Sequence, residues 1–165
     1  MSNDYSHVRI LIVDADKFTR SLLKNVLEEL GFQGKNIDET GDGKEALDLL
    51  RSWTAHIIIC SKRIGSMDGV AFVRTLRDPT QCSAPGIAII FCSQQLDKEL
   101  VEEVREAGVN EVIAKPITIG AIQTRIRHIF ENPRPLVTVK DYAGPDRRRV
   151  DNGDQPRERR SQKRE

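Results

Sequence analysis

His56-Ile57-Ile58-Ile59-Cys60-Ser61 is a short β-branched run that stops at a small polar residue and leads into Lys62-Arg63-Ile64-Gly65-Ser66-Met67-Asp68-Gly69. A run so apolar and so short predicts a strand buried on both faces, as in a parallel sheet. Open α/β sheets bind ligands outside the carboxyl ends of such strands, so the side chain at position 61 decides what chemistry that end can support. It is a serine.

On either side of this run, strand and helix patterns alternate. Val8 to Val13 forms a first strand ending in Asp14-Ala15-Asp16, and Phe18, Leu22, Leu23, Val26, Leu27 and Leu30 recur at helical spacing before Gly31. A weaker strand over Asn36–Thr40 precedes a helix through Ala46, Leu47, Leu49 and Leu50. After the central strand, Val70, Phe72, Val73 and Leu76 mark a helix that must end before Asp78-Pro79. Ile87–Cys92 and Glu111–Ala114 read as two further strands. Each is followed by a helix, from about Asp97 to Ala107 with Gly108 as cap, and along Ile119, Ile122, Ile126, Ile129 and Phe130. Repeated strand–helix units predict an α/β fold: a five-stranded parallel sheet, doubly wound, with right-handed crossovers and helices on both faces. Its carboxyl edge then gathers Asp14, Ala15, Asp16, Ser61, Ser93 and Lys115 from four strand ends.

The chain has 165 residues and 38% hydrophobic content, enough for one domain with a core and an appendage but not two ordinary domains. Residues 7–131 are expected to be that domain and 132–165 a basic tail. The net charge of +1 conceals the division: residues 1–133 carry 16 Lys+Arg against 19 Asp+Glu, residues 134–165 carry 10 against 6. Three cysteines, Cys60, Cys82 and Cys92, lack Cys-x-x-Cys spacing, so buried thiols are expected rather than a zinc site or disulfides. No apolar stretch approaches the roughly 20 residues of a membrane span, and Met1-Ser2-Asn3-Asp4 has no signal-peptide pattern. A soluble, cytoplasmic protein without membrane partners is the expectation.

Several position-specific features converge: the acid after the first strand (Asp14), Met67-Asp68-Gly69 after the third, the small hydroxyl residue after the fourth (Ser93), Ala107-Gly108 at a helix end, and Lys115-Pro116 after the fifth. In this order and spacing the chain resembles a bacterial response-regulator receiver domain of the CheY-like type over roughly residues 7–131. The resemblance implies a non-enzymatic signalling module and allows a cis Lys115-Pro116 bond. In the family, paired acids after the first strand help hold Mg²⁺, and an aspartate after the third takes a phosphoryl group from a histidine kinase. Those positions fall here on Asp14-Ala15 and Ser61, while Val112 stands at the aromatic switch position.

Mg²⁺ prefers hard oxygen ligands, and two carboxylates are missing from that set. A serine hydroxyl without a positioned metal or base is a poor nucleophile near neutral pH. The phosphorelay chemistry is therefore expected to be lost and Mg²⁺ not to be required, with Lys115 or Arg63 paired to Asp14. The blander expectation for Ser61, Ser93 and Lys115 is mutual hydrogen bonding with no active role.

From Arg134 onward, arginine outnumbers lysine eight to two. Arginine's planar fork pairs two-fold with phosphate or a guanine edge, a carboxylate accepts from guanine N–H groups, and tyrosine offers a stacking face. Few apolar residues follow Val139, so the tail is expected to be disordered until a partner orders it, with a turn at Gly144-Pro145. Tyr142-Ala143-Gly144-Pro145-Asp146-Arg147-Arg148, followed by Arg149 and Asp151, resembles the arginine-rich tail of CheY-like proteins that bind cyclic di-GMP. The resemblance implies a tail that folds around c-di-GMP and then docks on a protein such as a flagellar motor component or a histidine kinase.

Two other readings stay open. One is a phosphorylation-independent adaptor with an inert tail, or a tail that binds nucleic acid, the lesser expectation. The other is a receiver that takes phosphate at an unconventional residue.

Overall fold

The computed structural model describes residues 4–139 and 142–147. The chain opens with β1 (Ile10–Val13), α1 (Lys17–Glu29), a 3-10 turn at Gly34–Asn36, β2 (Ile37–Thr40), α2 (Gly43–Ser52) and β3 (Ile57–Ser61). Two short strands, β4 (Arg63–Ile64) and β5 (Met67–Asp68), lead into α3 (Gly69–Arg77), followed by β6 (Ala88–Ser93), α4 (Lys98–Ala107), β7 (Glu111–Ala114) and α5 (Ile119–Glu131). A final pair, β8 (Leu136–Val139) and β9 (Tyr142–Pro145), lies beyond α5.

The main sheet is parallel, in the order β2-β1-β3-β6-β7. The chain steps outward from β1 to β2, then returns past β1 to β3, which creates the switch point where α/β sheets form clefts. Side chains alternate across the sheet. Leu11, Ile58 and Phe91 enter a core shared with α2, α3 and α4, whereas Ile12, Ile59 and Ile90 enter one shared with α1 and α5. All five residues of β3 are buried, as its apolar run predicted.

Helix starts are set by local chemistry. Asp16, Asp42, Asp68, Asp97 and Thr118 each accept hydrogen bonds from backbone N–H groups of the following first turn. Such caps satisfy donors that the helix itself cannot, each stabilising by about 1 kcal/mol. Gly69 begins α3 where a Cβ would collide with the Ser61 carbonyl, and its N–H donates to Lys62 O at 2.8 Å. The Met67-Asp68-Gly69 sequence thus combines a strand residue, a cap and the close approach of α3 to the end of β3.

The expectation of a wholly disordered tail is corrected for its first part. β8 and β9 form an antiparallel hairpin, with Leu136 opposite Pro145 and Val139 opposite Tyr142, and β9 lies against the end of α4. Its order comes from cross-strand bonds and from docking on the domain, which a count of apolar tail residues does not register. Gly144-Pro145 consequently forms no turn: both residues lie in β9. Pro145 sits at the open end of a two-stranded ribbon, where a missing N–H is tolerated.

Candidate functional site

The carboxyl ends of β1, β3, β6 and β7 surround a cleft of about 470 Å³ that contains Asp14, Ser61, Ser93 and Lys115. Asp14 is buried, and its carboxylate has three partners. The Ser61 hydroxyl donates to Oδ2, Lys115 Nζ lies 2.9 Å from the same oxygen, and the Asp16 N–H donates to Oδ1 at 2.9 Å. Of the two cations proposed for Asp14, Lys115 makes the contact; the Arg63 guanidinium forms no ion pair among the described residues. The Lys115 N–H donates to Ser93 O at 2.9 Å, which ties the residue to the end of β6, and the Lys115-Pro116 peptide is cis. Arg20 braces the loop from outside, with Nη1 2.6 Å from Asp14 O and Nε 3.5 Å from Glu39 Oε1.

Asp16 does not converge on this group. Its carboxylate caps α1, accepting from the Thr19 hydroxyl at 2.7 Å and Phe18 N–H at 3.1 Å, and the Thr19 bond is the main reason its pKa falls below the ordinary carboxylate value. Ser93 also stands apart, its hydroxyl donating to Gln95 O at 3.1 Å. Mutual bonding therefore holds for Ser61, Asp14 and Lys115 and excludes Ser93. Ala15 offers the cleft no side-chain donor atom.

This donor set does not fit Mg²⁺. A hard divalent ion needs several converging oxygens, whereas of the two carboxylates that line the cleft Asp16 is engaged in capping α1 and Asp14 shares its oxygen with a lysine ammonium. Among the described residues no cluster of three His, Cys, Asp or Glu side chains could hold a metal. The Ser61 hydroxyl proton is directed at a carboxylate, a base too weak to deprotonate an alcohol at neutral pH. Cys92, which lines the cleft, and Cys60, one position before Ser61 on β3, are buried free thiols; burial pushes Cys92 up to about 12 and Cys60 upward as well, so neither is a reactive thiolate.

The second candidate site begins on the terminal hairpin. The Tyr142 hydroxyl donates to Pro145 O at 2.8 Å, and Arg147 Cζ lies 4.0 Å from the Tyr142 ring centroid, a cation–π stack. The Asp146 N–H donates to Pro135 O at 2.9 Å, closing the ribbon. A Cβ on Gly144 would come within 2.7 Å of Gly108 Cα, so two glycines, one from the tail and one capping α4, permit the docking. Arg148, Arg149 and Asp151 lie outside the described residues.

Beneath the hairpin is a residue that sequence patterns alone did not single out. Arg77 is 3% exposed, and its guanidinium donates to Gly108 O at 2.8 Å, Pro85 O at 2.5 Å, Ile87 O at 2.6 Å and Asn110 Oδ1 at 2.9 Å. Burial lowers its pKa to about 10, and it remains charged at neutral pH. The signal was present: Val70, Val73 and Arg77 follow i, i+3, i+7 spacing, which places an arginine on the buried stripe of α3.

Residues 10–127 match the family model for the response regulator receiver domain. The chain is 32% identical over 123 residues to a probable chemotaxis protein CheY of Rhizobium etli, covering 74% of this chain and 92% of that protein. It is 28% identical over 125 residues to chemotaxis protein CheY-3 of Vibrio cholerae, covering 76% and 93%. In three dimensions it resembles CheY4 of Vibrio cholerae with a TM-score of 0.65 at 20% identity, over 74% of this chain and 98% of that one. No helix among the described residues is long and apolar enough to cross a membrane. The carboxyl-edge cleft, the β2-β1-β3-β6-β7 order and the family match agree: this chain belongs to the response regulator receiver domain family.

Proposed function

We propose that this CheY-like signalling protein has no phosphoacceptor and that its tail, Tyr142 to Asp151, binds cyclic di-GMP and thereby controls docking on a protein partner such as a flagellar motor component or a histidine kinase. The Ser61–Asp14–Lys115 group carries the first half of this reading. One carboxylate already holds a hydroxyl, an ammonium and a backbone N–H, which leaves neither a nucleophile of the usual kind nor a place for Mg²⁺. The second half rests on the residue types of the tail and on the hairpin that holds Tyr142 and Arg147 together at the surface of the domain. Ligand concentration would then be the input in place of phosphate.

Two measurements test the halves separately. Incubation with acetyl phosphate followed by intact mass measurement is expected to yield no adduct; a phosphorylated protein would overturn the first half. Calorimetry with c-di-GMP is expected to give saturable binding that Asp146→Ala and Arg147→Ala each abolish; negligible heat from the unaltered protein would overturn the second.

A further inference from the structure

Between α3, the end of α4 and the terminal hairpin runs a groove of about 530 Å³, within the ~300–1,000 Å³ range of small-molecule sites. Its walls bring together side chains from the receiver domain, Arg74, Arg77 and Glu106, and from the hairpin, Thr138 and Tyr142. Arg77 forms the floor and spends its donors on backbone carbonyls and Asn110. Arg74, one turn earlier on α3, is exposed and its guanidinium makes no hydrogen bond or ion pair among the described residues.

Two carboxylates also line the groove. Asp78 is already occupied, accepting from Thr80 N–H at 2.9 Å, the Thr80 hydroxyl at 2.7 Å and Gln81 Nε2 at 2.7 Å. Glu106 is exposed and engaged in no ion pair among the described residues. One uncommitted guanidinium, one uncommitted carboxylate and one aromatic ring therefore border a single cavity.

We infer that this groove is the receiver's half of the nucleotide site, with Arg74 meeting a phosphate of the cyclic dinucleotide whose bases the tail engages. The inference rests on the c-di-GMP reading of the tail and deepens it: the ligand is held between domain and hairpin rather than by the tail alone. An arginine fork matches a phosphodiester's two free oxygens, and a carboxylate such as Glu106 matches the adjacent N–H donors of guanine. The groove exists only while the hairpin is docked. That docking depends on Gly144, where a Cβ would meet Gly108 Cα at 2.7 Å and the Tyr142 hydroxyl oxygen at 2.6 Å. Gly144 is thus a positioning residue, which accounts for a glycine in the tail motif without a ligand contact.

Calorimetric titration of the full chain with c-di-GMP, alongside Arg74→Ala, Gly144→Ala and Arg147→Ala, tests this. Arg74→Ala is expected to keep the wild-type melting temperature and to weaken binding at least about tenfold, a loss typical of one charge-assisted contact. Gly144→Ala is expected to weaken binding similarly and to raise amide exchange over residues 136–145, leaving β1 to β7 protected. Wild-type affinity in either Arg74→Ala or Gly144→Ala, with Arg147→Ala inactive, overturns the inference and leaves the tail reading standing. Absence of binding by the unaltered chain overturns both.

Discussion

Lys115 Nζ sits 2.9 Å from Asp14 Oδ2, joining the ends of β7 and β1 through a carboxylate whose side chain is 4% exposed. The Ser61 hydroxyl donates to the same oxygen. Removing the ammonium leaves a buried charge with neutral partners only. Lys115→Met is therefore expected to destabilise the fold by about 2–3 kcal/mol, toward the lower end for a broken buried pair because Lys115 is partly solvated. Adding Asp14→Asn should restore most of that loss. Urea unfolding of the single and double variants measures both; a double variant no more stable than Lys115→Met would contradict this account of the pair.

Magnesium provides a second test. With one inward carboxylate already shared, the unaltered protein is expected to show the same melting temperature with and without millimolar Mg²⁺. Ser61→Asp places a second carboxylate beside Asp14, and like charges that close destabilise each other unless a cation neutralises them. This variant should melt lower than wild type in chelator and recover on addition of Mg²⁺. Differential scanning fluorimetry reads both, and a wild-type protein stabilised by Mg²⁺ would refute the assignment of the cleft.

Two glycines with almost the same backbone separate conformational cost from hairpin docking. Gly31 has φ +102° and open space where a methyl would stand, whereas Gly108 has φ +108° and a Cβ there would lie 2.5 Å from Ala143 O and 3.0 Å from Arg77 Cγ. Gly31→Ala should cost about 1–2 kcal/mol, the left-handed penalty alone. Gly108→Ala should cost measurably more in equilibrium unfolding, and only this variant should expose the hairpin to protease. Equal costs would mean that the hairpin does not press on α4.

Tyr142 gives the hairpin a pH limit. Burial raises its phenol pKa above the ordinary 10.0, against the opposing pull of Arg147 and Arg77. The folded state thus holds the phenol proton more tightly than the unfolded chain. The stability this group supplies is complete below pH 10 and is lost as pH rises through the raised folded value. Hydrogen exchange over residues 136–145, corrected for intrinsic rate, should show constant protection from pH 6 to 9 and loosening above 10. Tyr142→Phe should remove the Pro145 bond, weaken docking by about 0.5–1.5 kcal/mol and abolish the alkaline step.

The sheet was legible because Ile57–Cys60 and Ile87–Cys92 are continuous apolar runs, and the helices were legible from apolar residues at helical spacing, such as Phe18, Leu22, Leu23, Val26, Leu27 and Leu30. Asp14, Ser61 and Lys115 could be gathered from topology alone, since every carboxyl end of a parallel strand faces the same edge. Whether Lys115 or Arg63 would reach Asp14 could not be read, because that depends on where the loop after β3 carries its side chains. That loop folds back as β4 and β5, two-residue strands below the length at which a period can be recognised. The hairpin was missed for a related reason. Its order comes from contacts such as Gly144 on Gly108, 36 positions apart in the chain, and no local pattern reports them.

Calorimetry of c-di-GMP binding to the full chain at two salt concentrations, with Arg147→Ala in parallel, tests the central claim most directly. The expected result is saturable binding with modest salt dependence that disappears on this single substitution, because a specific stacked and bidentate contact is lost. Absence of binding, or weak binding that falls steeply with salt and only gradually with each removed charge, would contradict nucleotide sensing and describe a tail that attracts polyanions non-specifically.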